Sequence, residues 1–198
     1  MEDTLIKIKE GYVGGTCFSI MPVRIKDTNK NTNDSDNVEE CKELEIAIEE
    51  DDVRAYLYYI LLEIFNDSLD ANIIRHIEEG SFYKVDITST FEWNRTYNFF
   101  DFEDIERLID RIKHLSNLIE NDYNNFELFK YKVNYAELAF SLPEYDFSKD
   151  YSVEEVDELV EKNKNYIIDF YNRFIGYMEK MIKEGKEKGY TLISFMGP

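Results

Sequence analysis

The chain has 198 residues, with 42 Asp+Glu against 23 Lys+Arg for a formal net charge of −19, and 15% of it is aromatic. Acidity of this size argues against nucleic acid and anionic lipid as partners, because both are held by Lys and Arg. The 14 Phe and 15 Tyr distinguish the chain from a disordered acidic tail, since they supply the apolar burial that offsets chain entropy.

The length suits a single domain over 1–198 that buries about 70% of its unfolded surface. The longest apolar run, Tyr56 to Leu62, is far short of the ~18 residues of a membrane span. Met1-Glu2-Asp3-Thr4 carries neither a basic nor an apolar leader, so a soluble, cytoplasmic protein is expected. Cys17 and Cys41 are read as free thiols of a reducing compartment.

Leu5, Ile6 and Ile8 before Lys9-Glu10-Gly11 predict a short strand and turn, and Cys17 to Ile25 a second strand. Pro22 removes a ladder N–H from that run and points to an edge strand or a bulge. A polar, flexible loop is expected over residues 27–37. Asp27, Asn29 and Asn31 have the spacing of a calcium loop, but Thr32 replaces its glycine and Val38 its closing glutamate. A solvated loop is the expectation, with divalent cation binding over 27–39 as an alternative.

Leu44, Ile46 and Ile48 alternate with Glu43, Glu45, Ala47 and Glu49, which predicts a strand with an acidic outer face. Asp51 or Asp52 is then expected to cap a helix through Val53, Leu57, Ile60, Leu61 and Ile64. A short helical piece follows from Ala71 to Glu79. Tyr83, Val85, Ile87, Phe91 and Trp93 alternate with polar residues as the clearest strand. Asp101 starts a second helix with Phe102, Ile105, Leu108, Ile109, Ile112, Leu115 and Ile119 on one face. Strand-like content from Phe129 to Leu142 ends at Pro143.

Ser152-Val153-Glu154-Glu155 matches a capping box. Val153, Val156, Val160, Asn163, Ile167, Phe170, Phe174, Tyr177 and Met181 then form a heptad seam along a helix over 152–188. Unbroken, such a helix measures ~54 Å against ~40 Å for the compact domain. It must bend, near Asn163 or Gly176, or project. Tyr190 to Met196 is a terminal strand. The pattern predicts an α+β fold: a mostly antiparallel sheet of four to six strands, with two medium helices and one long C-terminal helix packed on one face.

No nucleophile elbow, C-x-x-C, P-loop or dinucleotide fingerprint is present. No catalytic residue, cofactor or metal ligand is assigned, and a non-catalytic role is expected. Glu106, Asp110 and His114 share a helical face, but it lies opposite the apolar stripe and reads as a solvated row; His76 has no local ligand partner. Trp93, Tyr97, Phe99, Phe100 and Phe102 are expected to be buried beneath the sheet.

Many carboxylates sit at helix starts, where the macrodipole favours them. The run Asp36, Glu39, Glu40, Glu43, Glu45, Glu49 and Glu50 has no such explanation and is answered locally by Lys42 alone. It is the candidate contact surface for a basic protein. The alternative is a small enzyme or ligand binder with a tyrosine-lined pocket between sheet and long helix. The heptad seam is read as an intramolecular groove in a monomer, with a homodimer registered by Asn163 as the other possibility.

Overall fold

Alternation along Cys17–Ile25 produces the strand around which the sheet is built: Phe18 and Ile20 face one way, Met21 and Val23 the other, and all four are fully buried. In the computed structural model, residues 8–11, 16–27, 37–57, 60–61, 64, 76–78, 81–83, 97–125, 142 and 144–197 are described. Their strands are β1 (Lys9–Glu10), β2 (Cys17–Ile25), β3 (Val38–Glu40), β4 (Ile46–Glu49), β5 (His76–Glu78), β6 (Ser81–Tyr83), β7 (Tyr97–Asp101) and β8 (Leu192–Met196). The order is β1-β4-β2-β8-β7-β5-β6, with β3 continuing the β4 side of β2. Every pairing among the described strands is antiparallel. The expected α+β architecture is present. Apart from the two-residue β1, the order has six positions.

β2 is central, not an edge strand, because β8 occupies its second side. Pro22 is accommodated by an interruption of the neighbouring strand. Ile20 pairs with Ile46 and Val23 with Glu40, so residues 41–45 stand opposite Met21 and Pro22 alone. The surplus coils into a 3-10 turn, Lys42–Leu44. The Pro22 carbonyl accepts from the Cys41 N–H at 2.9 Å, and the missing Pro22 N–H faces the same interruption, where no ladder bond is lost. The strand predicted around Leu44 is correspondingly shorter and begins at Ile46.

α1 (Glu50–Asp52) follows β4 directly and continues as a π-helical turn, Val53–Leu57. Its N-cap is the extended Glu49, and Asp51 and Asp52 lie inside the first turn, not at the cap. His76–Glu78 is extended where a helical piece was expected; pairing on both sides, with β6 and β7, outweighs local propensity there. The strand predicted to run on to Trp93 is described only as far as Tyr83. Most of the 27–37 loop, the 129–142 segment apart from Leu142, and Trp93 itself lie outside the described residues.

α2 (Phe102–Asn121) starts as its sequence indicates: the Asp101 carboxylate accepts the Asp104 N–H at 2.7 Å. The long helix is interrupted at Asn163 into α3 (Val153–Lys162) and α4 (Lys164–Glu187). The Leu159 carbonyl accepts from Asn163 twice, from its backbone N–H at 3.1 Å and from its buried side-chain amide at 2.9 Å, which pins the chain at the break. The 24 residues of α4 measure ~36 Å and fit the domain. Gly189, at φ +79, ends the helix in a Schellman motif, with Tyr190 N–H on the Gly185 carbonyl at 3.0 Å and Gly189 N–H on Lys186 at 3.1 Å.

α2, α3 and α4 contribute to one apolar core with Phe18, Ile20, Ile46, Ile48, Phe100, Ile193 and Phe195 from the same sheet face. The stripe on α4 is wider than a heptad seam, adding Tyr171, Ile175, Met178 and Ile182, because the helix contacts both α2 and the sheet. Val153, expected in the seam, is exposed. The seam from Val160 to Met181 is covered within the single chain, with Tyr177 at its margin. Met21, Val23, Val38 and Phe99 form a second, smaller cluster on the opposite sheet face. Phe99 and Phe100 are thus both buried, on opposite sides.

Candidate functional site

The acidic run is brought together along the β3–β4 edge, and Asp36 lies outside the described residues. Cations from distant parts of the chain reach it. Arg24 on β2 pairs with Glu39 at 2.7 Å, Lys42 with Glu40 at 3.0 Å, and Lys9 on β1 with Glu49 at 3.0 Å. Lys188 beyond α4 pairs with Glu43, and Arg54 with Glu50 one helical turn away. Lys188 holds the Glu43 carboxyl below its usual range, and Glu43 raises Lys188 in return.

Glu45 is different in kind. The alternation predicts it on an outer face, but its side chain is 3% exposed. It accepts a 2.5 Å hydrogen bond from the Ser19 hydroxyl, with the Lys42 ammonium 3.8 Å away. A buried carboxylate must have such partners, and the geometry makes Glu45 a structural brace between β2 and the 3-10 turn. Each described member of the run therefore has a cation of the same chain within 4 Å.

A cleft of about 260 Å³ opens between this edge and α4. Glu10, Glu43 and Glu45 line it together with Lys42, Lys180 and Tyr177. It lies where a pocket between sheet and long helix was expected, but with one tyrosine in its lining. Its size falls below the ~300–1,000 Å³ of ordinary small-molecule sites. The Tyr177 hydroxyl is 3.5 Å from Glu10, a long contact that leaves the phenol able to meet a ligand. Chemically, the wall offers both signs of charge and no nucleophile paired with a base.

One perturbed group escaped the sequence reading. Burial raises the Asp52 carboxyl to about 6, reinforced by Glu49 and Asp51 and opposed by Lys9. The four consecutive acids Glu49-Glu50-Asp51-Asp52 were the available signal, although sequence alone does not say which is desolvated. Cys17 and Cys41 are free and buried, and burial pushes both thiols up. Glu106, Asp110 and His114 are exposed on α2, with Glu106 joined to Lys186 at 3.1 Å. Among the described residues no group of His, Cys, Asp and Glu is arranged to hold a metal, and no helix is long and apolar enough to cross a membrane.

The carboxylates without such compensation lie elsewhere. Glu154, Glu158 and Glu161 project from α3 into solvent. None of the three has a salt-bridge partner among the described residues. Helix-start chemistry accounts for Glu155, which closes the capping box through the Ser152 N–H at 2.9 Å, but not for a row extending to Glu161. No family model matches the chain, and no curated protein or solved structure matches it either.

Proposed function

We propose that this chain is a non-catalytic, cytoplasmic binding protein that captures a basic protein partner through its acidic surface. The observation that carries the reading is the contrast between the two groups of acids. The described acids of the 39–50 run have cations of this chain beside them, whereas Glu154, Glu158 and Glu161 of α3 have none among the described residues. Such a row leaves a local negative potential that steers a positively charged partner and raises its association rate. Two buried, unpaired thiols suit a reducing cytoplasm.

The test is titration of the purified protein with a fluorescent Lys/Arg-rich peptide and an uncharged control over a range of salt. Binding of the basic peptide should weaken steeply as salt rises. A triple substitution, Glu154→Gln, Glu158→Gln and Glu161→Gln, should weaken it further than Glu39→Gln with Glu43→Gln. Failure of the peptide to bind at low salt removes the reading.

A further inference from the structure

The segment leading into α3 carries a feature that charge alone does not explain. Phe147 is 78% exposed and Val153 76%, the most exposed large apolar side chains among the described residues. Phe147 belongs to an ordered ring cluster. The Tyr145 ring stacks on Tyr151 at 4.8 Å between centroids, and Phe147 meets Tyr145 edge-on at 5.1 Å. The turn beneath them is braced by hydrogen bonds: the Ser148 N–H and hydroxyl donate to the Asp146 carboxylate at 2.9 and 2.7 Å, the Asp146 N–H to the Tyr151 hydroxyl at 3.1 Å, and the Lys149 N–H to the Asp146 carbonyl at 3.1 Å. Rings held this way lose little rotamer freedom when a partner covers them.

The surroundings specify the partner's chemistry. Residues 144–162 hold eight carboxylates and two lysines. One of those lysines shows what the ring cluster accepts: the Lys149 ammonium lies 4.5 Å from the centre of Tyr151 and 2.8 Å from the Glu155 carboxylate. An aromatic face beside a carboxylate is a cation seat, filled here by the chain's own side chain. Phe147 reaches that seat through Tyr145 and holds its ring in water, an apolar contact within an acidic stretch of chain.

We propose that Tyr145, Phe147 and Tyr151 form the docking knuckle for a basic amphipathic segment of a partner protein. An arginine of that segment displaces Lys149 over Tyr151 and pairs with Glu155, and a neighbouring aliphatic side chain covers Phe147. This rests on the basic-partner reading above and adds an apolar anchor to it, as exposed aromatics surrounded by polar groups dominate many interfaces.

The test uses fluorescence anisotropy with two labelled peptides, one of alternating Leu and Arg and one of alternating Ala and Arg, against the intact protein at low salt. The knuckle requires the Leu/Arg peptide to bind more tightly. Phe147→Ala should weaken that peptide about tenfold and leave the Ala/Arg peptide unchanged, with the melting temperature unchanged as a fold control. Lys149→Ala, which empties the seat, should tighten the Leu/Arg peptide about threefold. If both peptides bind equally and neither substitution alters them, the knuckle is overturned while charge-driven binding stands. If neither peptide binds, both readings fall. If wild type instead sediments as a dimer that Phe147→Ala dissolves, without effect on peptide binding, the face belongs to a second copy and the proposal is overturned.

Discussion

Asp52→Asn isolates the energetic cost of a desolvated carboxylate. Burial and the adjacent Glu49 and Asp51 raise the folded carboxyl from 3.8 to about 6. At ~1.4 kcal/mol per pH unit this difference amounts to about 3 kcal/mol of destabilisation when the group is ionised. Because the folded value lies above the unfolded one, the penalty is complete above pH 6, shrinks as pH falls, and is gone below 3.8. Asparagine keeps the shape and never ionises, but it forfeits the attraction of a charge for the helix start, ~0.3–1 kcal/mol. The net expectation at pH 7 is a gain of about 2 kcal/mol, or ~4–8 °C in melting temperature for a domain of this size. Urea unfolding of wild type and variant from pH 7 to pH 4 reads the difference directly. The variant should be more stable at pH 7, and the advantage should shrink to about 0.5 kcal/mol by pH 4. Using the difference removes the other titrations, including relief of the −19 net charge. A variant no more stable than wild type at pH 7, or one with the same advantage at both ends, refutes the argument.

Ser152→Ala removes one half of the capping box, in which the serine hydroxyl accepts the Glu155 N–H at 3.2 Å. It should cost about 1 kcal/mol, with Ser152→Thr close to wild type, as read by urea midpoint. Gly189→Ala places a side chain on backbone at φ +79 and should cost ~1–2 kcal/mol. Gly189→Asn should cost less, since asparagine tolerates the left-handed region; equal losses for the two variants would show that the turn relaxes.

Local grammar was legible wherever one segment contained both the signal and its partner. The Asp101 cap and the apolar stripe of α2 are set within a few residues, and so is the capping box of α3. Length indicated that the helix must bend near Asn163 or Gly176, or project, and only the fold chooses Asn163 while α4 continues through Gly176. Features that depend on distant chain were not legible. Arg24 meets Glu39 across 15 positions, Lys9 meets Glu49 across 40, and Lys188 meets Glu43 across 145. Counting charge along the sequence therefore missed the cations that lie beside the 39–50 members of the run. Alternation likewise could not separate an outward Glu45 from one turned in to Ser19, because the five-against-two mismatch with β2 arises only on pairing. The aromatic knuckle had a faint signal, three rings at spacings of two and four within a polar stretch, with no periodicity to place them in a core.

The position of β8 governs the order in which the molecule can be completed. It is the only described link between the β1-β4-β2 half of the sheet and the β7-β5-β6 half, and Asp101 and Leu192 are separated in sequence by all of α2, α3 and α4. During synthesis both halves leave the ribosome long before their bridge, each with a strand edge that β8 later covers, on β2 and on β7. Such edges invite pairing with other chains. Pairing this remote is slow to form, so the long helix and the strand after it are expected to close the fold last. Interrupting the chain between Gly189 and Leu192 would leave two half-sheets whose most natural partners are each other's copies.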